Sequence, residues 1–166
     1  MSAVAFTSRR RATDAALLRR QATVLQGYSR DVVAADNTKA IVSITAQAFA
    51  ALFQVPVVVI LVMEGKVVSV ERVGDIEPQE AEIEAARSSL ATGLFSPAGV
   101  HPALASRFDF WPVATAEGQS AVIGLAFDPD ERPSAPTPLV DIVRRFLALA
   151  LDRQNFREAT MLGRKL

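Results

Sequence analysis

The chain has no cysteine in 166 residues, a single His, a single Trp, a single Tyr and a formal net charge of zero. Without cysteine there is no disulfide framework, thiolate metal site, Cys nucleophile or thioether-attached chromophore, which fits a reducing compartment. With His101 as the only imidazole, a transition-metal site would rest on carboxylates, a poor donor set for zinc. His101 is followed by Pro-Ala-Leu-Ala, whereas a kinase phosphoacceptor has an acidic residue next, so it reads as an exposed loop histidine. No G-x-S-x-G, G-x-x-x-x-G-K-[ST] or G-x-G-x-x-G occurs, which removes the common serine-nucleophile and phosphate-loop signatures. The expectation is a chain that is not an enzyme, with no catalytic residue, metal or cofactor. Zero net charge offers no global basic field, so nucleic acid is not expected as a partner. No apolar run approaches the roughly 20 residues that a membrane span needs.

What is present is a full core. Half the residues are hydrophobic, enough for one domain with helical extensions that buries roughly 70% of its unfolded surface. Charge is unevenly placed: residues 1–35 hold six Arg against two Asp, and residues 64–92 hold seven acids against three bases. The apolar start Met1–Thr7 runs straight into Arg9-Arg10-Arg11. It reads either as an ordinary frayed terminus or as the cytoplasmic end of a membrane helix, with the three arginines placed to meet anionic headgroups. Glu80, Glu82 and Glu84 read as a solvated helix face.

The hairpin from Phe108 to Phe127 is the organising stretch. Two apolar strands, 108–115 and 119–127, flank a turn at Ala116-Glu117-Gly118, where the glycine supplies a positive φ. Pro112 cannot donate to a ladder, so its strand belongs at an edge or a bulge. Gly124 interrupts a β-branched run and implies close approach of a helix or a ligand. Val55 to Met63 is almost unbroken in its apolar character and reads as a central strand covered on both faces. Glu64-Gly65 turns into Lys66–Val73, whose partial alternation marks an exposed edge.

Helices account for the rest. Ser8 to Ala35 carries two apolar stripes, Ala15, Leu18, Ala22, Leu25, Ser29 and Val32 beside Leu17, Val24 and Tyr28. Either Asp36 or Asn37 can cap a second helix over 38–53. Pro78 opens a third with Ile83, Ala86, Arg87 and Leu90 inward, closed by Gly93. Leu94 to Ser106 is an irregular loop, and Asp128 to Pro138 a turn-rich linker. The last helix, 138 to about 161, again has two faces: Leu139, Ile142, Val143, Phe146 and Ala150, and Val140, Leu147 and Leu151. One docked helix needs one apolar stripe. The surplus predicts a parallel homodimer through both terminal helices, carried by Leu18, Leu25, Val32, Leu147 and Leu151.

In order the elements give α–α–β–β–α–loop–β–β–α, an α+β fold with a mostly antiparallel sheet of four or five strands under helices. Within it, Tyr28-Ser29-Arg30-Asp31 followed by Val-Val-Ala-Ala, Ala86-Arg87-Ser-Ser-Leu90-Ala-Thr-Gly93, Pro97-Ala98-Gly99, and Trp111-Pro112-Val113 with Gly124 resemble successive motifs of one family. The chain is similar, from about Thr23 to Phe156, to the cytoplasmic GAF (PAS-like) domain of Kdp-type, potassium-responsive sensor histidine kinases. It departs from them at Leu94 to Arg107, where His101-Pro102 replaces Thr-rich sequence, and it lacks the Asn-Lys-x-x-x-Phe-Asp-Glu signature of nucleotide-binding GAF domains.

The resemblance implies a cytoplasmic domain of an inner-membrane protein. It divides the chain into a membrane-exit segment 1–11, an N-terminal signalling helix 12–36, a GAF core 37–137, and a C-terminal signalling helix 138–166 leading toward kinase domains. It further implies relay of a potassium or osmotic signal to a response regulator. A pocket between the sheet and its cover would be lined by Arg72, Arg87, Phe95, Ser96 and Trp111. Two roles stay open: a dimeric relay module whose terminal helices form the signalling spine, or a stand-alone small-molecule-binding GAF domain.

Overall fold

A computed structural model describes residues 2–99 and 106–164 of the chain. In chain order the elements are α1 (Ser2–Ala34), α2 (Thr38–Phe53), β1 (Val57–Met63), β2 (Lys66–Val73), α3 (Glu80–Thr92), β3 (Asp109–Val113), β4 (Ser120–Leu125) and α4 (Thr137–Arg164). The four strands form one sheet in the order β2-β1-β4-β3, with every neighbouring pair antiparallel. β1 is central, and all its residues but Met63 are buried. β3, with Pro112, lies at the edge as the missing N–H requires. That edge is closed by Ser96, which exchanges two backbone hydrogen bonds with Phe110, 2.9 and 2.8 Å long.

Strand alternation sends the core two ways. Val57, Val59, Leu61, Trp111, Val113, Ala121, Ile123 and Leu125 face a layer made of α1, α2 and α4. Val58, Ile60, Val62, Phe108, Phe110 and Val122 face α3 through Ala85 and Ala86. Caps set the helix limits. Asn37 Oδ1 accepts from the Ala40 N–H at 2.8 Å at the start of α2, and Gly93, at φ 71°, closes α3. The turn glycine Gly118 has φ +83°.

Several expectations need correction. The space beside Gly124 is filled from the neighbouring strands, by the Phe110 ring and the Val58 side chain, and not by a helix. α3 buries Glu82, Ala85, Ala86 and Ser89 and leaves Arg87 exposed. Glu82, expected on a solvated face, is 1% exposed because it is held by Arg107 from the far side of the loop. On the terminal helices, Val32, Leu147 and Leu151 are sealed inside the core of a single copy and are not open to a second one. Leu25 is half-buried against that core, and Leu18 is 65% exposed.

Candidate functional site

α1 and α4 lie side by side and point the same way. The Tyr28 ring meets Phe146 edge-on at 6.2 Å, and further along both helices Arg153 reaches the carbonyls of Val32, Val33 and Ala35. Contacts therefore advance in step along the two helices. Between residues 13 and 20, α1 is exposed at every residue but Ala15; from Phe156 to Gly163, every residue of α4 is exposed. The free stretches project from opposite ends of the domain. Along α4, Ile142, Leu149 and Phe156 form a bare apolar row at seven-residue spacing, with Leu149 68% and Phe156 73% exposed. This row, and not the one containing Leu147 and Leu151, is the uncovered face.

The turn from Asp152 to Asn155 is where the core last holds α4. α1 ends without partners for its final carbonyls, and the Arg153 guanidinium donates to Val33 at 2.9 Å, Val32 at 3.2 Å and Ala35 at 3.3 Å. A cation there also suits the negative end of the helix dipole. On the opposite side, Asp152 Oδ1 accepts from the Ala116 N–H at 2.9 Å. Asn155 accepts from the Gln119 N–H at 3.2 Å and donates to the Glu117 and Gln119 carbonyls at 2.7 and 3.0 Å. Gly118 makes room for this: a Cβ there would sit 2.7 Å from Asn155 Cγ. Sequence reasoning missed this junction because its partners are more than 35 residues apart and each is an ordinary polar residue on a helix.

The five residues expected to line a pocket do not converge. Phe95 and Trp111 meet, ring centroids 4.8 Å apart, on the face toward the helical layer, and Ser96 is spent on the edge bridge. Arg87 belongs to the α3 side, bonded to the Gly65 carbonyl at 2.9 Å and to Glu84 at 2.8 Å. Arg72 pairs with Glu77 at 4.0 Å on strand β2. Trp111 Nε1 is buried with no partner. His101 lies outside the described residues, as do the side chains of Arg9, Arg10 and Arg11.

Two buried carboxylates, Glu82 and Asp109, hold Ala98, Arg107 and Arg132. Glu82 Oε2 accepts from the Arg107 N–H at 2.7 Å, its Oε1 takes Arg107 Nη2 at 2.6 Å, and that same oxygen caps α3 by accepting from Gln79 N–H at 3.0 Å. Burial works to raise the Glu82 pKa, but the bonds from Arg107 and the backbone N–H groups of Gln79 and Arg107 outweigh it and hold it below the ordinary value. The Arg107 pKa is raised in turn, chiefly by its bond to Glu82. Asp109 accepts from the Ala98 N–H at 2.7 Å and pairs with Arg132 of the linker. In the helical layer Tyr28 bonds Thr45 Oγ1 at 3.0 Å. Its burial pushes the phenol pKa up to about 12, against a smaller lowering by that bond.

Open grooves lie at both ends of the fold. One of about 590 Å³ runs between Leu17 and Arg20 of α1, Phe53, Phe127 and Leu139. Another of about 590 Å³ runs between Met63, the hairpin tip and Phe156 and Leu162 of α4. A third of about 510 Å³ lies beside Arg87 and Ser120. Among the described residues no group of three or more His, Cys, Asp or Glu is placed to hold a metal ion, and no helix is long and apolar enough to cross a membrane.

A four-stranded antiparallel sheet with α3 on one face and the terminal helices and α2 on the other is the GAF fold, and the protein is a GAF-fold domain. Among solved structures, the native GAF domain of the potassium sensor histidine kinase KdpD from Escherichia coli superposes with a TM-score of 0.69 at 18% identity, over 84% of this chain and 99% of that one. No protein-family model matches the chain, and no curated protein matches it in sequence.

Proposed function

We propose that this domain is a non-catalytic sensory relay of a two-component sensor histidine kinase. It works as a homodimer through its terminal helices and carries a potassium or osmotic stimulus from an inner-membrane sensor to the kinase core. The observation that carries the reading is the parallel packing of α1 against α4 with free ends at opposite poles. A helix of nine or so residues is marginal alone in water, yet α4 continues past the core with Phe156, Met161 and Leu162 bare. A second copy related by a two-fold axis along α4 would cover Ile142, Leu149 and Phe156 at heptad spacing, the periodicity of a coiled-coil seam. The KdpD domain, similar in fold, belongs to a potassium sensor kinase, which supports the same role here.

The alternative of a stand-alone ligand-binding domain has less behind it. Among the described residues, the space between the sheet and α3 is occupied by the stacked rings of Phe108 and Phe110, centroids 5.7 Å apart. Sedimentation of the chain tests the relay reading: a dimer dissociated by Leu149→Glu supports it, and a monomer at high concentration defeats it.

A further inference from the structure

We infer that the turn Asp152–Asn155 is a coupling joint, through which the end of α1 and the tip of the β3–β4 hairpin act on the free half of α4 by two separable sets of bonds. The joint deepens the relay reading and takes its purpose from it, but the coupling is a property of one copy.

Three observations lead there. First, position: Leu147, Ala150 and Leu151 are buried, and from Phe156 to Gly163 α4 is exposed, so this turn is the boundary between held and exposed helix. Second, direction: successive helical residues diverge by about 100°, so Asp152 and Asn155 share one side of α4 while Arg153 points to another. The first pair takes the hairpin tip and the arginine takes α1. Third, partners: both clients are backbone groups, one set at the end of a helix and one at a hairpin tip. Arg153 serves the last carbonyls of α1, and Asp152 and Asn155 serve the amides of Ala116 and Gln119 at a tip where Gly118 admits the Asn155 side chain against bare backbone. A shift of α1 thus pulls on Arg153, and the same turn must carry the pull to the hairpin and to the outgoing helix.

Amide hydrogen exchange by NMR on the full chain tests this. Val33 has an exposed side chain one residue before the end of α1, and Val33→Gly loosens that end without opening the core. The expected result is that Val33→Gly speeds exchange at Ala116 and Gln119 by about fivefold or more, the lower limit of a typical coupling between sites. In the Arg153→Gln background that response disappears. Conversely, Asn155→Ala speeds exchange near Ala35 only while Arg153 is present, since coupling is reciprocal. An unchanged hairpin in Val33→Gly, or an equal response with and without Arg153, overturns the inference. If Arg153→Gln does not fold, Arg153→Lys, which keeps the charge but not the three-way fork, is read by the same criterion. Sedimentation in parallel separates the two claims: coupling in a strict monomer removes the dimeric relay and leaves the joint, whereas a dimer without coupling removes the joint alone.

Discussion

Phe110 stands opposite Gly124 across the β3–β4 ladder, with its Cε1 only 2.7 Å from where a Cβ on that glycine would be. On the other side Val58 Cγ2 would be 2.6 Å away. Both neighbours are packed core atoms, so neither can yield freely. Gly124→Ala is expected to cost about 1–3 kcal/mol by overpacking, read as a fall in thermal midpoint. A glycine kept open for a ligand would tolerate the methyl group, and an unchanged midpoint would contradict the packing account.

Glu82 gives a pH signature. Its folded pKa lies below the ordinary value of 4.5, because the bonds from Arg107 and backbone N–H groups outweigh its burial. A lowered carboxylate pKa contributes stability that is present above the unfolded value and is lost as pH falls through the folded one. Denaturant melts across the acid range should therefore show stability dropping below about pH 4.5, and Glu82→Gln should flatten that drop. The same substitution should cost about 1–3 kcal/mol at neutral pH, since it turns one oxygen of a buried acceptor into a donor facing N–H groups.

The two leucine rows of α4 should separate cleanly. Leu147→Ala removes a fully buried side chain and is expected to destabilise by about 2–5 kcal/mol. Leu149→Glu and Phe156→Glu lie on the bare row, so each should leave the folding of one copy within about 0.5 kcal/mol, while shifting sedimentation from dimer to monomer. If Leu149→Glu unfolds the chain, the bare row is not a surface.

Tyr28, the only tyrosine, can be followed by absorbance at high pH. Its phenol is pushed up to about 12 by burial, partly offset by the bond to Thr45. The folded chain favours the neutral form, so stability begins to fall as pH rises past the ordinary value of 10.0 and goes on falling up to the folded one. Tyrosinate should appear together with loss of helical signal. Tyr28→Phe should remove that coincidence and, by leaving Thr45 without one partner, cost about 0.5–1.5 kcal/mol.

Local chemistry was readable from the chain, and distant pairing was not. The apolar run of β1 and the Gly93 stop are decided within a few residues, and the structure has them where the sequence puts them; of the alternatives left open, it takes Asn37 over Asp36 as the cap and the edge for the strand of Pro112. Which row of α4 faces the sheet is decided elsewhere. Helical spacing offers Leu139, Ile142, Val143, Phe146 and Ala150 or Val140, Leu147 and Leu151 as faces; the structure buries Val140, Val143, Leu147, Ala150 and Leu151 from both and leaves Ile142 exposed, a choice made by the strands and α1. Glu82 looked like one of three solvated acids because its partner, Arg107, lies 25 residues away in the chain. Arg72 and Arg87 looked free to meet a ligand, yet each finds an acid of its own close by in the chain.

Because α1 and α4 run in the same direction, the proposed relay would make the domain a splice in a rod. A splice of this kind leaves the heading of the rod unchanged and sets only its phase, the angle by which the outgoing helix is rotated about its axis. A small turn at the splice would then appear along the exposed stretch of α4 as a twist, with little change in distance.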